Sequence, residues 1–269
     1  MIIDTHIHFF DDKIAVRALE KLEATASIKC RTNMTESDTR LKLEQWGIDL
    51  GVVLPIATKP SQQRTINDWA RRVQGGKLLC FGTVHPYADN AIEELSRIRE
   101  LGLYGVKLHP DYQQFYADDK ACYPVYEEIS RLNLPLCLHC GYDPVSPDDI
   151  HAPAQSIIKI HKDFPKLKII AAHLGSMGNI DEAEKIIAGH NIYVDISMSP
   201  LFANADQLGR IIKKHGAERV LFASDCPWSS PLEELALLDA AGLSEKDRRL
   251  ILYKNAAELL KIPASVIGP

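Results

Sequence analysis

Two histidines near the amino terminus, His6 and His8, have the residue type and spacing needed to hold a metal ion. They lie in the stretch DTHIHFF at residues 4–10. In a β-strand, side chains two positions apart project from the same face. Because neutral imidazole is a common zinc ligand, the pair is half of a metal site. A His-x-His pair on the surface without a ligand is the alternative, and the rest of the chain decides between the two.

Eight short apolar segments, each ending in polar or turn residues, predict β-strands. Both faces of each segment are apolar, which is typical of buried parallel strands. Segments with helical spacing lie between them. The predicted strands cover residues 2–6, 51–54, 78–84, 104–109, 135–139, 168–173, 191–196 and 219–225.

The spacing of these strands predicts an α/β fold, a closed (β/α)8 barrel of the TIM type. Most strands begin roughly 30 residues after the previous one, which is the length of a βαβ unit. An open, doubly wound sheet is the alternative architecture for 269 residues. We expect one domain over residues 1–269. The interval between the first two strands is longer, and its residues 10–46 are predicted to form an insertion that covers the barrel mouth.

The residues able to do chemistry gather at the carboxyl ends of the predicted strands, where barrels of this type carry their working residues. The histidines found there are His6, His8, His85, His109, His139 and His173, which is six of the ten in the chain. Together with Asp225 of the last strand, His6, His8 and His139 form a set of three nitrogens and one oxygen. This set suits Zn²⁺, with Mn²⁺ or Fe²⁺ as alternatives, and predicts a divalent metal ion at the mouth.

Five short motifs together resemble the amidohydrolase superfamily, in its amidohydrolase-related branch. They are DTHIH at 4–8, GVKLHP at 105–110, LH at 138–139, AHLG at 172–175 and SDCPW at 224–228. The resemblance extends over nearly the whole chain. It implies that His6, His8, His139 and Asp225 hold the metal and that His173 is the catalytic histidine of the sixth strand.

Lys107 and His109 end the fourth predicted strand and share one face of it. In two-metal members of the superfamily a fourth-strand lysine is carbamylated and bridges the ions, and Lys107 occupies a similar place. An unmodified Lys107 would instead bind substrate or a neighbouring carboxylate. His109 is expected either to bind substrate or to be a rim residue.

The first functional hypothesis is a metal-dependent hydrolase of a small amide, lactone or ester. A divalent ion makes hydroxide available at neutral pH and polarises a carbonyl. Asp225 would then move the proton of the water, and His173 would position that water or stabilise the oxyanion. The alternative is a metal-dependent non-oxidative decarboxylase, a carboxy-lyase of a small carboxylic acid. Its carboxylate would need a cation, for which Lys107, Arg31 and Arg40 are candidates.

The composition argues against several other classes of protein. The net charge of -5 comes from interspersed acidic and basic residues, so nucleic acid is not an expected partner. No apolar run approaches the ~20 residues that span a bilayer. We expect a small-molecule substrate as the partner. Assembly into a homo-oligomer is compatible with the sequence, and a metal-binding barrel without catalysis is the remaining alternative to an enzyme.

The six cysteines are scattered through a chain without a recognisable secretory signal. This pattern predicts reduced thiols and a cytoplasmic location. Cys137 and Cys140 form a C-x-x-C motif, but Cys137 falls inside an apolar strand. We therefore expect core residues there, with a redox or zinc motif as the alternative.

Overall fold

The computed structural model describes residues 1–267 and shows parallel strands alternating with helices. Each predicted strand segment overlaps an observed strand, and all paired strands are parallel. The strands are β1 (Ile3–Ile7), β2 (Leu50–Val53), β3 (Leu78–Cys80), β4 (Gly82–Thr83), β5 (Val106–Leu108), β6 (Pro135–Leu138), β7 (Lys168–Ala171), β8 (Tyr193–Asp195) and β9 (Val220–Leu221).

The strands pair as one sheet of three, β1-β2-β3, and one sheet of six, β4 to β9. At one junction, β3 and β4 are consecutive parts of the same extended segment, interrupted at Phe81, whose amide donates to the carbonyl of Val53 at 3.0 Å. At the other junction, the amide of Thr5 in β1 donates to the carbonyl of Phe222 just after β9, at 2.9 Å. Hydrogen bonds thus connect the two sheets at both junctions, as the predicted (β/α)8 barrel requires.

Helices follow the strands in the order that the sequence predicts. No described helix is long and apolar enough to cross a bilayer. The helices are α1 (Asp12–Ala26), α2 (Glu36–Gln45), α3 (Gln63–Val73), α4 (Ala91–Glu100), α5 (Pro110–Gln113), α6 (Tyr123–Arg131), α7 (Ala154–Asp163), α8 (Ile180–Glu182), α9 (Ala205–His215), α10 (Pro231–Ala240), α11 (Glu245–Arg249), α12 (Asn255–Leu259) and α13 (Ala264–Ile267).

The sequence predicts one helix over residues 245–260, and the structure instead has α11 and α12 separated by a π-helical turn at Leu250–Lys254. The turn lies against the last strand of the barrel. The carbonyl of Ile251 accepts a hydrogen bond from the amide of Phe222 at 3.0 Å. The side chain of Asn255 donates to the carbonyls of Ala217 and Val220, both at 2.7 Å. The helix therefore departs from regular geometry where it satisfies the backbone of the strand region.

The predicted insertion, residues 10–46, contains the two helices α1 and α2, which lie in different places. Leu43 of α2 is buried, and its side chain packs against Gly51 of β2, so α2 belongs to the outer helical layer of the barrel. By contrast, α1 buries only Ala15. After α1, the amide of Arg31 donates to the carbonyl of Pro227 beyond β9, at 2.8 Å. Only residues 10–35 of the predicted insertion thus remain at the carboxyl end of the barrel.

The core has one layer inside the barrel and another between strands and helices. Inside, residues such as Ile3, Val52, Phe81 and Leu221 pack together, and residues of α12 close the amino-terminal end. All six cysteines are free thiols. Cys137 belongs to the inner layer, and Cys140 is fully buried. The core interpretation of the C-x-x-C motif is confirmed.

Candidate metal centre

The carboxyl ends of the first and last strands bring His6, His8 and Asp225 together. Nε2 of His6 lies 3.1 Å from Nε2 of His8 and 3.3 Å from Oδ1 of Asp225. Nε2 of His8 lies 3.2 Å from the same carboxylate oxygen. We call these three residues the convergent cluster, because their three ligand atoms face one another.

Backbone contacts between β1 and the segment that follows β9 hold the convergent cluster in place. The amide of Asp225 donates to the carbonyl of His6 at 2.8 Å, and the amide of His8 donates to the carbonyl of Cys226 at 2.6 Å. Asp225 itself has a left-handed backbone (φ 63°), an uncommon conformation outside glycine that often marks functional sites.

Asp4 connects β1 to the segment that follows β9. Its carboxylate accepts hydrogen bonds from the amide of His6 at 3.2 Å, from the amide of Ser224 at 3.0 Å and from the hydroxyl of Ser224 at 2.5 Å. Burial raises the pKa of Asp4 to about 7, against these hydrogen bonds, which lower it. Asp4 therefore supports the backbone that carries the ligand-type residues.

The protonation of the convergent cluster follows from Asp195, at the end of β8. Burial alone would raise the pKa of Asp195, but the adjacent His6 ring, which hydrogen-bonds to the carboxylate, holds it well below its usual range. Nδ1 of His6 lies 2.9 Å from Oδ2 of this carboxylate, so Nδ1 carries the proton. Burial lowers the pKa of His6 to about 4, and the ring is neutral. Its Nε2 lone pair therefore faces the cluster.

A cation fits the convergent cluster. Oδ1 of Asp225 is buried without a hydrogen-bond partner among the described residues. His6 Nε2 and Asp225 Oδ1 are both acceptors, and like acceptors 3.3 Å apart repel unless a cation lies between them. Ligands about 2.0–2.2 Å from a zinc ion lie roughly 3.3 Å from one another. The observed separations therefore match those of a first-row divalent metal site.

Lys107, on β5, lies beside the convergent cluster. Its Nζ is 3.3 Å from Nε2 of His6 and 3.7 Å from Sγ of Cys137, and the side chain is fully buried. Within residues 1–267 it forms no ion pair with a carboxylate. Lys107 is thus a buried amine next to the candidate metal position, as both the bridging and the substrate-binding hypotheses require.

His173, just after β7, also faces the mouth. Its φ of 58° is unusual for a histidine, and its amide donates to Oδ1 of Asp195 at 2.9 Å. Nε2 of His173 lies 3.1 Å from Nδ1 of His139. The ring centroid is 5.2 Å from that of His6. The predicted catalytic histidine is therefore adjacent to the convergent cluster.

His139, the fourth predicted ligand, groups with other residues. Its ring stacks on that of His109 with centroids 4.1 Å apart and an interplanar angle of 9°. Oδ2 of Asp143 lies 3.5 Å from Nε2 of His109 and 3.7 Å from Nε2 of His139. We call these three residues the stacked cluster. Three of the four predicted ligands thus meet, and His139 reaches the mouth only through Nδ1.

The stacked cluster is not arranged to bind a metal, although it has ligand-type residues. In parallel rings the nitrogen lone pairs lie in parallel planes, so those of His109 and His139 do not converge on one ion. Nε2 of His139 is also 3.3 Å from the carbonyl of Tyr142, a hydrogen-bond acceptor. Burial raises the pKa of Asp143 to about 6. These contacts fit hydrogen bonding that orients His139.

Asp111 lies next to the stacked cluster, and its Oδ2 is buried without a hydrogen-bond partner among the described residues. Asp143 and Asp111 did not stand out in the sequence, although each follows a strand-end histidine by two to four positions. Ser197 was also missed. It follows Asp195 by two residues, the same spacing that singled out His8 after His6.

Two of the cations predicted to bind a substrate carboxylate are not available for it. One lies at the opposite end of the barrel, and the other is paired with a glutamate. The guanidinium of Arg40 donates to the carbonyls of Val73 and Gly75, which precede β3, so it lies at the opposite rim of the barrel. Arg40 as a substrate cation is therefore wrong. Arg31 is at the correct end but pairs with Glu233 at 2.8 Å. Lys107 remains the nearest cation to the convergent cluster.

The fold and the site together define a class of protein. A family model described as amidohydrolase matches residues 3–262, and the chain belongs to the amidohydrolase family. This confirms the resemblance that the five motifs carry.

Particular relatives include decarboxylases and dihydroorotases. A gamma-resorcylate decarboxylase of Rhodococcus jostii is 25% identical over 222 residues, which are 65% of this chain and 67% of that protein. A dihydroorotase of Mycosarcoma maydis is 28% identical over 142 residues, 47% of this chain, and the match spans only 36% of that protein.

A solved structure with the same fold is the dihydroxybenzoic acid decarboxylase of Polaromonas, which contains manganese and the inhibitor 2-nitroresorcinol. It has a TM-score of 0.72 and 20% identity, and the match covers 99% of this chain and 98% of that one.

Proposed function

We propose that this protein is a metal-dependent, non-oxidative decarboxylase of a small carboxylic acid. The observation that carries the proposal is the convergent cluster, whose acceptor atoms lie 3.1–3.3 Å apart beside a neutral histidine base. The choice of decarboxylation is supported by the gamma-resorcylate decarboxylase, which matches more of this chain than the dihydroorotase does. The sequence alone favours hydrolysis, and these relatives reverse that preference.

The ion would be held by His6, His8 and Asp225, with Nδ1 of His139 as the fourth ligand that the family resemblance implies. When bound, a divalent metal would supply a Lewis acid for the substrate carboxylate and a neighbouring oxygen. We propose Zn²⁺ or Mn²⁺, because a set of imidazoles and a carboxylate suits both.

The proton steps belong to His173 and Asp225. Burial lowers the pKa of His173, against the nearby charge of Asp225, so the ring is neutral at physiological pH and Nε2 is a base. Decarboxylation breaks the bond between the carboxyl carbon and its neighbour, releases carbon dioxide and places a proton on the remaining carbon. Either residue would first take that proton from water or from a substrate hydroxyl and then pass it to the carbon, because both face the same space.

Lys107 would bind the negative charge of the substrate. Its nearest partner is Nε2 of His6, at 3.3 Å, an atom that a bound metal would occupy. Lys107 would then lose that partner and be available to an anionic group. A single buried cation matches a substrate with one carboxylate.

Hydrolysis of a small amide, lactone or ester is the second candidate, favoured by the dihydroorotase match. The same residues would serve it, with Asp225 moving the proton of water and His173 stabilising the oxyanion. The two reactions differ in which solvent atom enters the product. Hydrolysis places a water oxygen in the product, whereas decarboxylation places a solvent proton on carbon.

The experiment loads the protein separately with Zn²⁺ and Mn²⁺ and offers hydroxybenzoates, lactones and amides. We expect carbon dioxide from at least one hydroxybenzoate, and deuterium on the carbon that lost it when the reaction is run in heavy water. Turnover of lactones or amides with heavy-oxygen label in the new carboxylate, and no carbon dioxide, would establish hydrolysis instead.

Residues 10–35 would cover the mouth during turnover. They follow β1 directly, and α1 within them is weakly packed, with Ile14 and Val16 exposed by 53% and 64%. Ligand binding to the metal-loaded protein should slow proteolysis in this segment. Equal cleavage rates with and without saturating 2-nitroresorcinol, in a protein shown to bind it, would count against a cover.

A further inference from the structure

Ser197, in the turn after β8, connects His173 to Asp195. Its hydroxyl lies 2.9 Å from Nδ1 of His173 and 2.5 Å from Oδ1 of Asp195. Its own amide also donates to Oδ1 of Asp195 at 3.2 Å. All three side chains are 99% or more buried. Water therefore does not compete for these contacts.

The single hydroxyl proton of Ser197 decides the direction of this chain of contacts. Oδ1 of Asp195 already accepts from the backbone amides of His173 and Ser197, so it is an acceptor and the hydroxyl of Ser197 donates to it. The hydroxyl oxygen must then accept from Nδ1 of His173. The carbonyl of Ser197, 3.4 Å from Nδ1, is also an acceptor and favours the same arrangement. Nδ1 of His173 is therefore the protonated nitrogen. The lone pair of Nε2 faces Nδ1 of His139 at 3.1 Å, a close approach of two acceptors that a cation held by His139 would relieve.

We propose that Ser197 is a positioning residue that fixes the tautomer of His173 and so presents a basic Nε2 to the barrel mouth. The catalytic consequence rests on the proposed function, whereas the tautomer itself does not. Without the hydroxyl, Nδ1 would retain only the carbonyl at 3.4 Å, and the ring could place its proton on Nε2 instead.

The carboxylate of Asp195 also connects the convergent cluster with His173. Oδ2 of Asp195 accepts from His6 of the convergent cluster, and Oδ1 accepts from Ser197 and from the amide of His173. One ionised group thus sets the protonated nitrogen of a candidate ligand directly and that of the candidate base through Ser197.

The test compares Ser197→Ala and Ser197→Thr with Ser199→Ala in the zinc-loaded protein. Ser199 is a matched control, since it is equally buried and its hydroxyl donates to the carbonyl of Ile196 at 2.6 Å, away from His173. Nitrogen-15 NMR of labelled histidines reports the tautomer, with the His173 signals assigned by their loss in His173→Asn. We expect a protonated Nδ1 in the wild type, Ser197→Thr and Ser199→Ala, and an increased Nε2-protonated fraction in Ser197→Ala.

Activity gives the second readout. With a turned-over hydroxybenzoate, Ser197→Ala should lower kcat by about 10- to 100-fold, the usual effect of removing an outer partner of a site histidine, with little change in KM. Ser197→Thr, which keeps the hydroxyl, should retain most of the wild-type kcat. If no substrate is found, the proposed function fails while the NMR result still decides the tautomer.

Three results would overturn the proposal. One is an Nε2-protonated His173 in the wild-type zinc protein, which needs no variant and so does not depend on any variant folding. Another is a folded, zinc-loaded Ser197→Ala protein whose tautomer is unchanged. The third is an equal increase in the Nε2-protonated fraction of His173 in Ser199→Ala, which would indicate a general packing effect.

Discussion

The convergent and stacked clusters have the same kinds of side chain, two imidazoles and one carboxylate, and differ in where their lone pairs point. In the convergent cluster, the ligand atoms of His6, His8 and Asp225 meet at 3.1–3.3 Å. In the stacked cluster, the rings of His109 and His139 are parallel within 9°, and the carboxylate lies 3.5–3.7 Å away. Ligand type alone therefore does not identify a metal site, because the direction of the donor atoms decides it.

The two clusters are joined through the mouth by His139 and His173. Nε2 of His139 faces Asp143, and Nδ1 faces Nε2 of His173. A histidine ligand usually donates its second ring proton to an outer acceptor. The stacked cluster thus fits an outer support for His139, whereas the convergent cluster fits the ion itself.

The largest effect is expected from removing the imidazoles of the convergent cluster. His6→Ala/His8→Ala should lose the metal and lower kcat/KM by roughly 10³-fold or more, because the ion contributes several kcal/mol of charge stabilisation. Elemental analysis of protein purified without chelator checks the metal. His190→Ala, a change in the loop before β8, is the control. Full metal retention in the double variant would place the ion elsewhere.

The second largest loss of activity is expected from His173→Asn. Loss of the base should lower kcat by roughly 10²- to 10⁴-fold while the metal content stays at that of the wild type. Parallel kinetics and elemental analysis check both parts. If the variant lost its metal in proportion to its activity, His173 would be a ligand and not a base.

Lys107→Ala should lower kcat/KM by roughly 10- to 100-fold, since a hydrogen bond to a charged group contributes about 1.5–3 kcal/mol. We expect about one equivalent of metal before and after the change. Two equivalents in the wild type and one in the variant, restored by short-chain acids, would instead show a carbamylated, bridging Lys107.

The smallest effect is expected in the stacked cluster. Asp143→Asn keeps the shape of the side chain and should change kcat/KM by less than about tenfold, with the metal content unchanged, because its contacts with the two rings are long. Asp148→Asn, an exposed neighbour, is the control. Loss of one metal equivalent in Asp143→Asn alone would show that the stacked cluster holds an ion, and the comparison above would fail.

Much of the fold follows from the sequence, because strands buried on both faces leave runs of apolar residues at regular intervals. The meeting of His6, His8 and Asp225 was also predictable, since the strand rule aligns the first two and barrel closure brings the last strand beside the first. Strand ends, however, fix only which rim a residue occupies.

The direction of His139 was not predictable in the same way. It depends on rotamers that the ring of His109 and the carbonyl of Tyr142 determine across separate segments. Arg40 was placed at the wrong rim for a related reason. Periodicity identifies α2 as a helix, but not which end of the barrel its long side chains reach.

The backbone contacts between β1 and the residues after β9 have a consequence for the order of folding. The carboxylate of Asp4 and the hydroxyl of Ser224 that it binds are 220 positions apart in the chain. A ribosome therefore makes His6 and His8 long before it makes Asp225. We expect a nascent chain to lack this ion until its last strand docks. Each tenfold excess of metal over its Kd would then add about 1.4 kcal/mol to the free energy of unfolding of the closed barrel. The ion would therefore stabilise only a chain whose last strand has docked beside the first.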